Sequence, residues 1–165
     1  MYYEDDPVKN TALKMVKAGL ARRVTLAFTR HRPVVLNPFS PDYLGPWLRS
    51  LVEQKGVLVL DASWKQLAPE KFRKLHGTHV KLPPLLPGNP VNYGKPCMLS
   101  SIEAVAATAY ITGFTDTYKK LLGLYKWMET FNDLNSELLE SYAKAGSMEE
   151  LINAVREYWG DSPPC

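Results

Sequence analysis

The sequence predicts an α/β protein with a basic α/β N-terminal lobe, residues 1–96, and a mostly helical C-terminal lobe, residues 97–165. Strand-like runs alternate with helical patterns in the first half, which is typical of α/β folds. From Ser100 onward the apolar spacing is helical throughout. Residues 1–99 hold 15 Lys and Arg against 7 Asp and Glu, and residues 100–165 hold 5 against 10, so the two parts carry +8 and −5. We expect a pocket at the junction of the lobes.

The elements of the first half follow from apolar spacing and turn residues. A helix near the start should carry Leu13, Val16 and Leu20 on one face. A later helix should open at Ser40, with Pro41 at its first position. The remaining bounds that we expect are a strand at 2–4, the first helix at 10–20, and strands at 24–28 and 33–36.

The run VLVL, residues 57–60, is apolar at every position and predicts a strand that is buried on both faces. Asp61 follows directly, at the sheet edge where open α/β sheets usually bind ligands. Two interpretations of Asp61 stay open. It is either a carboxylate that ends the strand and caps the turn, or a functional group.

A long Pro-rich segment divides the rest of the chain. Residues 64–75 have helical spacing with a break at Pro69. The segment LPPLLPGNPVNYGKP, residues 82–96, excludes regular helix and central strand because of its prolines. Long loops in compact domains are usually functional, so this loop is a candidate part of the site.

The helical half opens with a capping box at Ser100 and Glu103, and a second box at Ser147 and Glu150 opens the last helix. Between them, residues 117–143 carry apolar side chains at helical spacing. Such a pattern favours core packing over a functional site.

Composition indicates a soluble globular protein, with 45% hydrophobic and 22% charged residues. Cys97 and Cys165 lie far apart in sequence, which suggests neither a disulfide framework nor a metal site, and we expect a cytoplasmic protein. The N-terminus has no apolar signal core, and no segment is long and apolar enough to span a bilayer. We therefore expect no membrane partner.

Common catalytic and nucleotide-binding motifs are missing from the sequence, including GxGxxG, the Walker phosphate loop, GxSxG and HExxH. His76 and His79 in HGTH have a spacing that two metal ligands can use, but no acid or cysteine lies near them in sequence. We expect a surface loop there and no metal.

The basic residues of the first half are clustered, which suits a polyanion that is bound by phosphate neutralisation. A solvated basic face is the equally open alternative. The clusters are Lys9, Lys14 and Lys17; Arg22 and Arg23; Arg30 and Arg32; and Lys71, Arg73 and Lys74.

Four stretches of the sequence resemble, over nearly its whole length, the small-subunit rRNA aminocarboxypropyltransferases. These ribosome-maturation enzymes have an N-terminal segment that also occurs on the RNase L inhibitor ATPase. The stretches are DPVKNTALKM (6–15), VVLNP (34–38), VLVLDASW (57–64) and LPPLLPGNPVNYGKPCMLSSIEA (82–104). The last is long and specific. Asn10 and Ala12 stand where the family usually has Cys and Gly, and Cys97 stands where relatives often carry an aromatic residue.

The resemblance implies a SPOUT-like knotted fold around an S-adenosylmethionine site. It also implies transfer of the 3-amino-3-carboxypropyl group to N3 of a uridine or (methyl)pseudouridine in small-subunit rRNA, with release of methylthioadenosine. The expected partner is small-subunit rRNA or a pre-ribosomal particle, and we expect a monomer. Two other functions stay open: an RNA methyltransferase on the same scaffold, and a pre-rRNA-binding assembly factor without chemistry.

The resemblance also implies roles for individual residues. Trp64 is expected to cover the cofactor's methyl group, which an indole face suits because it excludes water and attracts a sulfonium. Asp61 is expected to accept the N3 proton, or else to offset the sulfonium charge. The full expected cofactor set is Thr11 and Ser101 at the carboxylate, main-chain groups of Leu60, Leu82 and Cys97 at ribose and adenine, the walls Leu36, Pro38 and Leu99, and Trp64. The expected RNA contacts are Lys9, Lys14, Lys17, Arg22 and Arg23.

Overall fold

A small parallel sheet with six helices forms the part of the protein, residues 11–62 and 64–165, that this computed structural model describes. The strands are β1 (Val34–Leu36), β2 (Val57–Val59) and β3 (Thr78–Val80), in the order β2-β1-β3. The helices are α1 (Thr11–Lys17), α2 (Arg49–Lys55), α3 (Ser101–Ile111), α4 (Thr115–Leu122), α5 (Trp127–Lys144) and α6 (Met148–Trp159). The architecture is mixed α/β, as the sequence predicts.

β1 is the central strand and all three of its residues are buried. It pairs in parallel with both neighbours, so that Leu36 aligns with Val59 of β2 and with Val80 of β3. The predicted strand at 57–60 is confirmed as β2, but its side chains are only half-buried. The expectation of burial on both faces is wrong because β2 lies at the edge of the sheet.

Two expected elements of the first half are wrong. Residues 24–28 form no strand, because Leu26–His31 is a 3₁₀ helix in which the Thr29 hydroxyl donates to the Leu26 carbonyl at 2.7 Å. No helix opens at Ser40, because the Leu44 amide donates to the Lys81 carbonyl at 2.7 Å in a bridge beside β3. The strand expected at 2–4 lies outside the described residues.

The first helix is confirmed as α1, but its buried face is not the expected one. Met15 is 2% exposed, whereas Leu13 is 38% exposed and lies at the edge of a cleft. The predicted helical segment at 64–75 consists of two short 3₁₀ helices, Trp64–Gln66 and Pro69–Phe72. The break that Pro69 predicts is therefore present.

The helical half agrees closely with the sequence. Both halves of the Ser100 and Glu103 capping box are present at the start of α3. At α6 the Ser147 hydroxyl accepts from the Glu150 amide, but the Glu150 carboxylate accepts from Gly146 instead of Ser147. Within the described residues, none of the helices combines the length and apolar composition needed to cross a bilayer.

The hydrophobic core is continuous across the two halves of the chain. It includes Val34 and Leu44 from the first half, and Ile102, Phe131 and Tyr142 from the second, all fully buried. α3 lies in its centre and packs against α1, α4, α5 and β2. The strands and the helices are therefore held by one common interior.

The Pro-rich loop, residues 82–96, has no regular structure, as predicted, yet buried side chains of α5 hold its backbone. The amide of Asn135 accepts from the Leu86 N–H and donates to the Leu86 carbonyl, both at 2.7 Å. The Tyr142 hydroxyl donates to the Pro84 carbonyl at 2.8 Å. These bonds satisfy backbone groups that prolines leave without ladder partners, and they fix the loop on the helical core.

Candidate functional site

A cleft of about 1170 Å³ opens at the carboxyl edge of the sheet. The parallel strands end level with each other, so the residues that follow them converge there. Leu36 and Asn37 come from the end of β1, Leu60 and Asp61 follow β2, and Leu82 follows β3. The end of the Pro-rich loop and the start of α3 close the opposite side.

Eight of the nine residues predicted to bind the cofactor line this cleft. Its lining residues include Leu36, Pro38, Leu60, Trp64, Leu82, Cys97, Leu99 and Ser101. The inner wall is buried, with Leu36 at 8% and Leu99 at 7% exposure. The structure brings these residues together, and their role in binding stays a prediction. Two predicted main-chain contacts already have partners: the Cys97 N–H donates to Leu85, and the Leu60 carbonyl accepts from Ala62.

Thr11, the ninth residue, is fully buried and is not among the residues that line the cleft. Its hydroxyl oxygen accepts a hydrogen bond from the Ile102 amide, 3.3 Å away, at the start of α3. Thr11 therefore ties α1 to the first turn of α3. Ser101, in that same turn, does line the cleft.

Trp64 is half-buried at the cleft, and its indole N–H donates to the carbonyl of Leu99 at 3.0 Å. This bond joins the segment after β2 to the segment before α3. It fixes the ring in place, so Trp64 can present an aromatic face without ordering it first.

Asp61 lines the cleft and is exposed as a whole residue, although its carboxyl group is partly buried. Partial burial of the carboxyl raises the pKa of Asp61 above its ordinary value, and the positive charge of Arg23 opposes that rise. Arg23 also lines the cleft. A carboxylate with a raised pKa is a better proton acceptor than an ordinary aspartate.

The carboxylate of Glu103 organises the wall of the cleft opposite the sheet. Glu103 is fully buried, and one of its oxygens accepts from the Gly88 N–H at 2.6 Å and from the Asn89 N–H at 3.3 Å. The other oxygen accepts from the Asn89 side chain at 2.7 Å, and from the amide and hydroxyl of Ser100 at 2.9 and 2.8 Å. One side chain thus joins the Pro-rich loop to the start of α3.

A disulfide joins Cys97 to Cys165, with their Cα atoms 6.4 Å apart. The expectation that these cysteines do not pair is wrong, because the chain after α6 returns to the cleft, where Pro164 and Cys165 are part of the lining. The Tyr43 hydroxyl donates to the Cys165 carbonyl at 2.7 Å. In the chain-entropy treatment, closing a loop of this length stabilises the fold by about 4 kcal/mol.

The expected surface loop at HGTH is only half right, because His76, which is exposed, and Gly77 precede the strand, but Thr78 and His79 belong to β3. The Nε2 of His79 donates to the Leu75 carbonyl at 2.6 Å, since a carbonyl can only accept. Its Nδ1 therefore accepts from the Asn37 side chain at 3.1 Å. Among residues 11–62 and 64–165, no three His, Cys, Asp or Glu side chains are grouped closely enough to hold a metal.

Of the predicted RNA contacts, Lys14, Lys17, Arg22 and Arg23 are exposed on α1 and the segment after it. The Lys14 ammonium lies 4.7 Å from the centroid of the Tyr125 ring, and the Arg22 guanidinium lies 5.4 Å from that of Phe28. Only Arg23 of these four lines the cleft. Lys9 lies outside the described residues.

Several polar residues of the cleft were not predicted from the sequence. They include Asn37, Lys65, Lys81 and Lys95. Asn37 and Lys81 directly follow β1 and β3, and a polar residue after a strand is the signal that singled out Asp61. Lys65 and Lys95 have no such signal, because a short 3₁₀ helix brings Lys65 to the cleft and the Pro-rich loop brings Lys95.

Comparison with known proteins came to the same family as the sequence motifs. Residues 34–159 match the family model described as ribosome biogenesis protein, C-terminal. The 16S rRNA aminocarboxypropyltransferase of Methanobrevibacter smithii is 41% identical, over 94% of this chain and 92% of that protein. The enzyme of the same name from Methanocaldococcus jannaschii is 39% identical, over 93% and 90%. The solved structure of the SAM-dependent rRNA:acp-transferase Tsr3 from Vulcanisaeta distributa is similar with a TM-score of 0.79 and 36% identity, over 94% of this chain and 90% of that one.

Replacing the Glu103 carboxylate tests its role in holding the wall. Glu103→Gln sets an NH₂ group against N–H donors, so we expect the free energy of unfolding in urea to fall by about 2 to 4 kcal/mol. Amide hydrogen exchange at Gly88 and Asn89 should accelerate with it. Glu137→Gln, at an exposed position in the middle of α5, is the matched control and should change neither. Unchanged exchange at both amides would contradict the role of Glu103.

Proposed function

This chain belongs to the ribosome biogenesis protein family, and from that membership we propose that it is an rRNA aminocarboxypropyltransferase. It transfers the 3-amino-3-carboxypropyl group of S-adenosylmethionine to N3 of a uridine or (methyl)pseudouridine in small-subunit rRNA and releases methylthioadenosine. The observation that carries the proposal is identity near 40%, over more than nine tenths of the chain, with enzymes named for this activity.

The cleft fits the chemistry of S-adenosylmethionine. Its inner wall is apolar at Leu36 and Leu99, the ring of Trp64 lies at one side, and Asp61 supplies a negative charge. A sulfonium ligand with an adenosine part needs apolar walls, an aromatic face and a nearby anion. When bound, the cofactor supplies the electrophilic carbon. The protein's own task is to decide which of the three carbons on sulfur is open to attack.

Trp64 serves that selection, and Asp61 has a separate role in activating the substrate nitrogen. The Trp64 ring, held by its bond to the Leu99 carbonyl, would face the methyl group of a bound cofactor and would keep water from it. Asp61 accepts the proton of N3 as the new carbon–nitrogen bond forms, since the protonated nitrogen is a poor nucleophile. The raised pKa of Asp61 agrees with a role as proton acceptor. Ser101 belongs at the cofactor's carboxylate, and Thr11, which does not line the cleft, supports that site indirectly by accepting from the Ile102 amide in the same turn of α3.

The finer architecture is part of the same proposal. The fold is a SPOUT-like knotted one, in which residues 1–96 bind RNA and cofactor and residues 97–165 complete the cofactor pocket. The parallel sheet with the cleft at its carboxyl edge supports this division. The protein acts as a monomer in the cytoplasm on small-subunit rRNA or a pre-ribosomal particle.

The RNA approaches over the basic surface of α1 and the segment after it, which we define by Lys14, Lys17, Arg22 and Arg23, with Lys9 beside them in sequence. Their exposure supports this placement, because phosphate neutralisation needs accessible cations. Arg23 extends the surface into the cleft.

The by-product of the reaction tests the function. The protein is incubated with S-adenosylmethionine and small-subunit rRNA from a strain whose gene for this chain is deleted. We expect methylthioadenosine by mass spectrometry, because the bond to the aminocarboxypropyl carbon breaks. S-adenosylhomocysteine would instead indicate a methyltransferase, and failure to bind the cofactor by isothermal titration would indicate an assembly factor without chemistry.

Trp64→Ala should weaken S-adenosylmethionine binding about 5- to 30-fold in isothermal titration, since a desolvated aromatic facing a cation contributes on the order of 1 to 2 kcal/mol. Trp64→Phe keeps an aromatic face but loses the bond to Leu99, so it separates the two contributions. Trp47→Ala, at a 40% exposed tryptophan outside the cleft lining, is the control. Equal affinities of the Trp64→Ala and unaltered proteins would remove Trp64 from the cofactor site.

Asp61→Asn should leave cofactor and RNA binding nearly intact and slow single-turnover transfer by roughly two to four orders of magnitude. Raising the pH should partly restore the rate of the variant, because N3 then loses its proton to solvent. The unaltered enzyme needs Asp61 deprotonated, so its rate should fall as the pH drops through the pKa of Asp61. Since that pKa is raised, the fall should come at higher pH than for an ordinary aspartate. A defect that no pH restores, coupled to weaker cofactor binding, would make Asp61 an electrostatic partner instead.

A further inference from the structure

The cleft has an inner wall and a rim that differ in exposure and in charge. The inner residues Leu36 and Leu99 are almost fully buried. The cleft rim, which we define as Phe39, Lys65, Val91 and Lys95, is exposed, with Phe39 at 47% and Val91 at 50%. The inner wall can enclose only a small ligand, whereas the exposed rim can contact a larger one.

The charge of the cleft lining favours an anionic occupant of the rim. Its ionisable side chains among the described residues are four cations, Arg23, Lys65, Lys81 and Lys95, and one carboxylate, Asp61. The Lys81 ammonium lies 4.9 Å from the centroid of the Tyr43 ring and is half-buried. Lys65 and Lys95 are exposed and free to meet phosphates.

Phe39 is a fixed aromatic platform. Its ring meets that of the buried Phe72 edge-on, with centroids 6.0 Å apart and planes at 64°. Its N–H donates to the Asn37 side-chain oxygen at 2.9 Å, and the Asn37 amide donates in turn to His79 Nδ1. His79 lies in β3 and is itself fixed by its bond to the Leu75 carbonyl. Hydrogen bonds therefore connect the turn that carries Phe39, which follows β1, to β3.

Lys95 is placed by the Glu103 network. The Asn89 side chain, held by Glu103, accepts from the Asn92 N–H at 2.9 Å, and the Asn92 carbonyl accepts from the Lys95 N–H at 3.0 Å. Lys95 and Phe39 thus both lie at the cleft rim, each on a backbone turn that side-chain hydrogen bonds hold in place.

We propose that the cleft rim binds the single-stranded RNA that carries the target nucleotide, with a base stacked on Phe39 and phosphates on Lys65 and Lys95. An exposed aromatic ring beside cations is the usual means of holding unpaired RNA, because every base offers a face for stacking. This inference rests on the proposed function and adds a second RNA contact to the basic surface of α1.

Binding of a fluorescein-labelled dodecauridylate, followed by fluorescence anisotropy at several salt concentrations, tests the rim. Phe39→Ala should weaken binding about 5- to 100-fold without changing the salt slope, because stacking is uncharged. Phe39→Trp should bind like the unaltered protein. Lys65→Ala and Lys95→Ala should each lower the log–log salt slope by about 0.7. Tyr158→Ala, at a 40% exposed aromatic on α6, is the matched control and should have no effect.

Cofactor titration on the same proteins separates this inference from the proposed function. Phe39→Ala should bind S-adenosylmethionine as the unaltered protein does, and its circular dichroism should be unchanged since the side chain is exposed. Normal RNA affinity of Phe39→Ala would contradict RNA binding at the cleft rim. Two other results would contradict it as well: failure of the unaltered protein to bind the oligonucleotide, and a Phe39→Ala variant that loses cofactor affinity but keeps its RNA affinity. An unaltered protein that binds the RNA but not the cofactor would contradict the proposed function and leave the rim standing.

Discussion

The buried carboxylate of Glu103 is the contact on which the cleft depends. Five hydrogen bonds from Gly88, Asn89 and Ser100 end on its two oxygens, so the charge is balanced by amides and a hydroxyl inside the fold. In a low-dielectric interior such bonds are strong, and each donor left without an acceptor is costly. The Pro-rich loop and the start of α3 therefore hold one relative position, which also sets Ser101 and Lys95 at the cleft.

Close packing reinforces this bond network. Gly88 approaches α5 so closely that an added Cβ would lie 2.5 Å from the Phe131 nitrogen, so the position needs glycine. Asn135 and Tyr142 hold the loop two and four residues before Gly88. A segment whose prolines exclude ladder hydrogen bonds becomes a rigid wall because helices supply the missing partners. The disulfide of Cys165 with Cys97 fixes its far end.

The same rigidity explains how one cleft can serve a small cofactor and a large RNA. The parallel strands deliver apolar residues to the interior, and the loops after them deliver Phe39, Lys65 and Asp61 toward the opening. Asp61 lines the same cleft, where partial burial raises its pKa and the charge of Arg23 opposes that rise. A carboxylate in a cleft with a buried wall and an exposed rim can act on a base held outside and on a cofactor held within.

Features that depend on short separations along the chain could be predicted from the amino-acid sequence. The Ser100 and Glu103 box, the strand before Asp61 and the irregular Pro-rich loop were all predicted correctly, because spacing, apolar runs and prolines act locally. Motif resemblance gave the family. Contacts between distant residues came from the three-dimensional fold: the disulfide spans 68 positions, the bond from Ile102 to Thr11 spans 91, and the bond from Tyr43 to Cys165 spans 122. The fold likewise decided that a 3₁₀ helix, Leu26–His31, replaces the strand expected at 24–28, and that the last two residues of HGTH belong to β3. A strand forms only where another strand is available for pairing, and the local sequence does not show where that partner strand lies.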